Sequence, residues 1–198
     1  MATQGAPPTT FEPTAFNVYD KKLGMWVFLA SEVMFFTSLI GSYIILRWGA
    51  APSWPVPGEV LNVPITAGNT FLLICSSVSM VKAFAAIEEG NQKGLKMWLL
   101  ATIIMGAAFV GVQAYEYSQL FHHHFTPGSG LYGSTFYAMT GFHGFHVSMG
   151  VLCMIWVLFK AMRGGYTQEN HEGIEIIGLY WHFVDLVWII LFTIVYLI

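Results

Sequence analysis

Five ionisable residues lie within apolar segments of the sequence, where a membrane protein would bury them. Glu32 stands among Leu, Phe, Val and Met residues, while His143, His146, His182 and Asp185 stand in two later apolar stretches. An ionisable side chain near the centre of a bilayer costs at least about 2 to 3 kcal/mol, so such residues pair with one another or serve a function. Carboxylates and imidazoles in this setting could transfer protons, ligate a metal or hydrogen-bond between helices.

The spacing of these residues shows which of them share a face of a helix. His143 and His146 are three residues apart, as are His182 and Asp185, and this spacing makes each pair neighbours on one helix. The two histidines could face a metal or bond to other helices. Asp185 could orient the His182 imidazole or simply satisfy it, and Glu32 could be a structural partner or a proton carrier. We expect several of these residues to face the protein interior, with no metal bound.

The composition indicates an integral membrane protein. Of 198 residues, 56% are hydrophobic and 10% are charged, and the mean hydropathy is +0.61. A soluble domain typically carries about 25% charged residues. The net charge of -3 and the lack of a basic run argue against a nucleic-acid partner. Cys75 and Cys153 each stand alone in an apolar stretch, so we expect them to be buried, reduced and structural.

Five apolar stretches are long enough to cross a hydrocarbon layer, which takes about 20 helical residues. The predicted fold class is therefore an all-α integral membrane protein, a bundle of five transmembrane helices. A polar segment over residues 1–22, without the features of a cleaved signal peptide, precedes a transmembrane domain over residues 23–198. The predicted helices cover residues 24–48, 65–87, 95–117, 132–159 and 176–198.

The basic residues predict the orientation, because cytoplasmic loops retain Lys and Arg. Of the eight Lys and Arg residues, all but Arg47 flank the helices on the side of the N-terminus. This places the N-terminus and residues 1–22 inside and the C-terminus outside. At about 1.5 Å of rise per residue, Glu32, His182 and Asp185 lie at similar depths of roughly 9 to 13 Å. We therefore expect one polar layer across the first, fourth and fifth helices.

Glycines in the third and fourth helices predict where helix backbones approach closely. We expect tight packing among the last three helices at these positions. Gln113 and Glu116, near the outer end of the third helix, are expected to be polar residues at the membrane interface. The predicted packing positions are Gly106, Gly111, Gly141, Gly144 and Gly150.

Four blocks of sequence resemble subunit III of the haem-copper terminal oxidases, the cytochrome c oxidase subunit III family, in its five-helix form. The blocks begin at Leu23, Gln113, Thr140 and Tyr180 and read LGMWVFLASEVMFF, QAYEY, TGFHGFHV and YWHFVDLVW. They follow the order of the family from the first helix to the fifth. Longer members carry two further N-terminal helices that this chain lacks, so a lipid cleft formed against those helices is not carried over.

The resemblance implies a non-catalytic accessory subunit of a proton-translocating cytochrome c oxidase, in the aerobic respiratory chain of a bacterial cytoplasmic membrane. It implies packing on subunit I, with subunit II and a small subunit IV as further partners. Whether the complex joins a larger respiratory supercomplex is left open. Haems and copper would lie in subunits I and II, with no cofactor in this chain. Bound phospholipid, assembly and sustained proton uptake are the implied roles. The family glutamate corresponds to Glu32, and the family histidines correspond to His143, His146 and His182.

Three other functions remain as alternatives. Subunit III of a quinol oxidase has a similar length, and the site for the electron donor would lie on other subunits. A membrane cytochrome with haem b would use His146 and His182 as axial ligands and would show a haem band when purified alone. A stand-alone proton transporter would use Glu32 and would conduct in vesicles without a partner. The four matching blocks favour the accessory subunit.

Overall fold

The chain forms a bundle of five long helices in a computed structural model. The structure describes residues 20–50, 54–56, 58 and 61–198. The predicted polar segment before residue 20 and most of the proline-containing loop between the first two helices lie outside these residues. The helices are α1 (Asp20–Gly49), α2 (Val63–Glu88), α3 (Gln92–His122), α4 (Leu131–Met162) and α5 (Glu172–Phe192), and a π-helical turn follows at Thr193–Leu197.

The predicted fold class is confirmed. Five helices are long and apolar enough to cross a membrane, and the described residues form no strand. Successive helices run in opposite directions, so α1 and α5 begin at one end of the bundle and α2 and α4 begin at the opposite end. The orientation of these ends relative to the membrane stays a prediction.

Two asparagines fix where α2 and α3 begin. The Asn62 side chain accepts a hydrogen bond from the Ile65 N–H, and Pro64 stands in the first turn, where no N–H is needed. The Asn91 side chain accepts from the Gly94 N–H at 2.9 Å. Between α2 and α3 the chain turns at Gly90, whose φ of 74° favours glycine. These caps allow α2 and α3 to pack side by side as an antiparallel pair.

Helix α1 lies at the periphery of the bundle. It buries only Leu29, Phe36 and Tyr43, which are spaced by seven residues and form one narrow seam against α4 and α5. Val27 and Met34, on the rest of its surface, are 66% and 75% exposed. Helix α5, in contrast, contacts α1, α2 and α4. The broad exposed face of α1 is suited to lipid or to another subunit.

The Trp181 side chain explains two of the predicted glycine positions. A Cβ at Gly106 would lie 2.6 Å from the Trp181 ring, and a Cβ at Gly150 would lie 3.0 Å from it. The fully buried indole therefore fits between α3 and α4 only because both residues are glycine. At Gly144, a Cβ would lie 3.3 Å from Gln113 Oε1. A Cβ at Gly111 would meet nothing within 4 Å.

The other two glycine positions are not close helix contacts within this chain. Gly111 faces open space, and at Gly141 the nearest atom to an added Cβ is the Tyr117 hydroxyl at 4.0 Å. The predicted close approach at these positions is therefore not met by the described helices. At Gly141 the Tyr117 side chain of α3 fills the space toward α4, and Gly111 lies on a face of α3 that no described neighbour covers, which the residue types do not encode.

We predict that Gly106→Ala destabilises the bundle by roughly 1 to 3 kcal/mol, because the added methyl group collides with the Trp181 ring. Gly111→Ala on the same helix is the matched control, since its methyl group enters open space and slightly favours the helix. The measurement is the melting temperature of the purified protein assembly. Equal melting temperatures for the two variants would contradict the packing described here.

Candidate functional site

Glu32 and His146 form a contact between α1 and α4 within the apolar part of the bundle. Glu32 Oε2 lies 3.0 Å from His146 Nε2, and the two side chains are 17% and 12% exposed. The rings of Phe35 and Phe36 lie beside the imidazole, with centroids at 6.3 and 5.1 Å. The contact is therefore shielded from most of the surroundings but lies near the surface of the chain.

The hydrogen bond of the second ring nitrogen of His146 determines how many protons the Glu32–His146 pair holds. Nδ1 lies 2.7 Å from the Phe142 carbonyl oxygen, which can only accept, so Nδ1 carries a hydrogen and donates it. The hydrogen bond between Nε2 and Glu32 then needs one further proton, on either the imidazole or the carboxyl group. The pair is either an imidazolium with a carboxylate or a neutral imidazole with a carboxylic acid. Its chemistry is the holding and transfer of one proton.

His143 lies in the core and does not join His146. Its Nε2 lies 3.2 Å from the Val184 carbonyl oxygen of α5, its ring centroid lies 4.7 Å from that of Trp188 at an interplanar angle of 31°, and the residue has no exposed surface. Its Nδ1 has no hydrogen-bond partner. Residues three apart on a helix differ in direction by about 60°, which here separates a side chain that faces α5 from one that faces α1. The two imidazoles therefore do not converge on a shared ligand.

His182 and Asp185 belong to a third group, between α5 and α2. His182 Nδ1 lies 2.6 Å from the Ser77 hydroxyl oxygen. The Asp185 carboxyl group also interacts with Ser77, while its Oδ1 has no hydrogen-bond partner. The expected single polar layer is thus divided among three interfaces, α1–α4, α4–α5 and α2–α5. Ser77 was not singled out from the sequence, although its place beside Ser76 and Ser79 in an otherwise apolar helix is a usable signal.

Gln113 and Glu116 are buried between helices near the end of α3, and their place at the membrane interface stays a prediction. They are 6% and 8% exposed. Glu116 accepts hydrogen bonds from the Thr66 hydroxyl at 3.0 Å and the Tyr196 hydroxyl at 3.2 Å, and Gln113 donates to the Thr140 carbonyl oxygen at 3.1 Å. The sequence alone places them near the end of α3, but not opposite these hydroxyl groups of α2 and the C-terminal turn.

Polar contacts also tie α1 to other helices at its two ends. Lys21 lies 3.3 Å from Glu172, and Lys22 forms an ion pair with Glu175, both at the start of α5. At the opposite end, Arg47 donates to the main-chain oxygen of Ile198. The Lys21 side chain is 76% exposed, so its pair adds little stability. Glu32 and His146 are thus the polar contact of α1 within the apolar depth of the bundle.

None of these groups assembles the ligands of a metal. Among the residues that the structure describes, no three His, Cys, Asp or Glu side chains lie together in a way that could hold an ion. His146 uses both ring nitrogens in contacts with Phe142 and Glu32. Axial ligation of a haem by this residue would break one of these contacts.

Comparisons with known proteins place the chain among oxidase subunits. A family model described as cytochrome c oxidase subunit III matches residues 12–198. The cytochrome c oxidase subunit 3 of Thermostichus vulcanus is 39% identical over 180 residues, which cover 88% of this chain and 86% of that protein. The probable cytochrome c oxidase subunit 3 of Mycobacterium tuberculosis (strain ATCC 25618 / H37Rv) is 40% identical over 176 residues, covering 89% and 87%. The cytochrome c oxidase subunit 3 of Alkalihalophilus pseudofirmus is 35% identical over 195 residues, covering 96% and 92%.

We predict that Glu32 and His146 are energetically coupled. In a double-mutant cycle with Glu32→Ala and His146→Ala, the coupling should be about 1 kcal/mol, the usual scale for hydrogen bonds between membrane helices. The free energy of unfolding is measured by titration with a denaturing detergent.

Ser38→Ala, combined with His146→Ala, is the control for this cycle. The Ser38 hydroxyl bonds only to the backbone of its own helix, at Phe35, and its cycle with His146 should give no coupling. Additive effects of the Glu32 and His146 substitutions would rule out a contribution of their contact to stability.

Proposed function

The chain belongs to the cytochrome c oxidase subunit III family, and on that premise we propose that it is the non-catalytic accessory subunit of a proton-translocating haem-copper oxygen reductase. Family membership makes it part of an oxidase complex and, with its five apolar helices, an integral protein of a bacterial membrane. In this proposal it packs on subunit I, contacts subunit II and a small subunit IV, binds phospholipid and supports assembly and sustained proton uptake. Haems and copper belong to subunits I and II.

The contact between Glu32 and His146 is the observation that carries the proposal. The pair shares one proton in its hydrogen bond and lies near the surface of the chain, in the interface between α1 and α4. A proton held there lies where a neighbouring subunit or lipid would cover it. This position supports a role beside a proton-uptake path, rather than a closed pathway within this chain.

The surroundings of the pair suit a lipid. Phe142 and Phe145 flank His146 on α4 and are 46% and 60% exposed. The Phe35 and Phe142 rings contact each other across the α1–α4 interface with centroids at 5.1 Å. Exposed aromatic side chains of this kind offer acyl chains a rigid apolar surface. We propose that phospholipid chains cover this face and limit the access of water to Glu32.

The distribution of basic residues supports the proposed orientation. Lys21 and Lys22 lie at the start of α1, and Lys160 and Arg163 lie at the end of α4, which is the same end of the bundle. Lys93 and Lys96 begin α3 there too. Because cytoplasmic loops retain positive charge, we propose that this end faces the cytoplasm. The names of the relatives favour cytochrome c over quinol as the electron donor of the complex.

Isolation of the chain from its host tests the subunit assignment. The tagged chain is extracted in mild detergent, its partners are identified by mass spectrometry, and a reduced-minus-oxidised haem spectrum is recorded. Co-purification with haem-bearing subunits that consume oxygen is expected, and supplying cytochrome c or quinol then identifies the donor. A chain that emerges alone and carries haem would instead be a membrane cytochrome.

We predict that Glu32→Ala leaves the haem spectrum and the initial rate of oxygen consumption unchanged but reduces the number of turnovers before inactivation. The reason is that the proton held between α1 and α4 is lost while the redox centres lie in other subunits. Ser31→Ala is the matched control, because this neighbouring hydroxyl bonds only to the backbone of its own helix, at Phe28. A missing haem band in Glu32→Ala, or equal endurance in the two variants, would refute the proposed role.

A further inference from the structure

A cleft of about 480 Å³ opens at the end of the bundle where α2 begins and α3 ends. Its volume lies within the range of small-molecule sites. The α2 side contributes Ile65, and the α3 side contributes Glu116, Gln119, Leu120 and His123. The cleft is lined by other residues than the Glu32–His146 pair, and its occupant is not assigned by the proposed oxidase role.

The Glu116 carboxyl group is the acidic member of the cleft wall, and it has spare hydrogen-bonding capacity. One oxygen accepts from Thr66 and the other from Tyr196. A carboxylate has about four acceptor positions, so these two bonds leave about two for a ligand. Glu116 forms no ion pair with any residue that the structure describes, where the ion pairs are those of Glu172, Glu175 and Glu32. A buried carboxylate without a counter-ion is costly and tends to take up a proton, and a cation in the cleft would stabilise its ionised form.

The helix ends at the cleft do not favour an anion. At the start of α2, the N–H of Val63 donates to the Leu61 carbonyl oxygen and the N–H of Ile65 to the Asn62 side chain. Pro64 has no N–H, and the Thr66 N–H donates to the Asn62 carbonyl oxygen. The N–H groups of Val63, Ile65 and Thr66 are therefore not available to an anion. The positive end of the α2 dipole and the negative end of the α3 dipole, each about half a charge, oppose each other. The ionised form of Glu116 would therefore set the sign of the ligand charge that the cleft favours.

We propose that this cleft binds an organic ammonium group, with the Glu116 carboxylate as its charged partner. The exposed Tyr115 ring on the cleft wall provides an aromatic face for the cation. Ile65 and Leu120 provide an apolar surface for the carbon atoms attached to the ammonium group. An aminophospholipid headgroup and a soluble amine share this chemistry, and the experiment below distinguishes them.

The test uses the purified oxidase complex, depleted of lipid and examined by native mass spectrometry. Phosphatidylethanolamine is the lipid probe, phosphatidylglycerol with the same acyl chains is the lipid without an ammonium group, and ethanolamine is the soluble probe. Glu116→Gln keeps the shape of the side chain and removes its charge. We expect it to weaken phosphatidylethanolamine binding about tenfold, the effect of one charge-assisted hydrogen bond, and to leave phosphatidylglycerol binding unchanged.

Two further variants separate ligand binding from stability. Ile65→Trp leaves Glu116 and its two hydrogen bonds in place but fills the cleft, and it should reproduce the loss. Glu172→Gln removes the same charge from the opposite end of the bundle, where Glu172 pairs with Lys21, and it should leave binding unchanged. Melting temperatures of the complexes identify any variant that fails for lack of folding.

The outcomes show whether the cleft binds an ammonium group and whether that group belongs to a lipid or to a soluble amine. Binding of phosphatidylethanolamine that depends on Glu116 identifies the headgroup of a lipid. Binding of ethanolamine that depends on Glu116, without a preference between the two lipids, identifies a soluble amine. Equal binding of all three probes by wild type, Glu116→Gln and Ile65→Trp would overturn the proposal.

Discussion

The bundle depends on one constraint, which is that a polar group buried among apolar helices must find its hydrogen-bond partner within the protein. In lipid no hydrophobic force separates helix–helix contacts from helix–lipid contacts, so packing and such hydrogen bonds hold the helices together. Helix α2 meets this constraint with a series of hydroxyl groups, each directed at a different partner on α3 or α5. The pairs are Thr66 with Glu116, Thr70 with Trp188, Ser76 with Trp181, Ser77 with His182, and Ser79 with Thr102.

Size complementarity acts together with these bonds. Trp181 donates to Ser76 at 3.0 Å on α2 while its ring occupies the space left by Gly106 on α3 and Gly150 on α4. One indole therefore fixes the separation of four helices. Trp188 lies two turns further along α5, where it donates to Thr70 and packs against the tilted ring of His143. The rigidity of this core provides the base on which α1, with its much smaller interface, is held.

The number of helices was predictable from the sequence because length and hydropathy decide whether a segment spans a membrane. The partners of the polar residues were not, because they depend on the rotation and depth of each helix. His143 and His146 show this: their spacing predicts one face, yet α1 and α5 approach α4 from directions that separate them. Glu116 shows it too, since its burial follows from Thr66 and Tyr196, which are distant in sequence. The resemblance of the four blocks identified the family, but it did not show which residues of different blocks contact each other.

The position of α1 at the edge of the bundle has a consequence for biosynthesis. Glu32 is made 114 residues before His146, and at 5 to 20 residues per second the interval is roughly 10 s. During this time α1 is in the membrane without α4 or α5, so both its apolar seam and its carboxyl group lack their partners. A carboxyl group in this state is tolerated when it is protonated or reached by water at the insertion machinery. The interface of α1 can therefore form only after α4 and α5 have been inserted, and His146 then becomes the hydrogen-bond partner of Glu32.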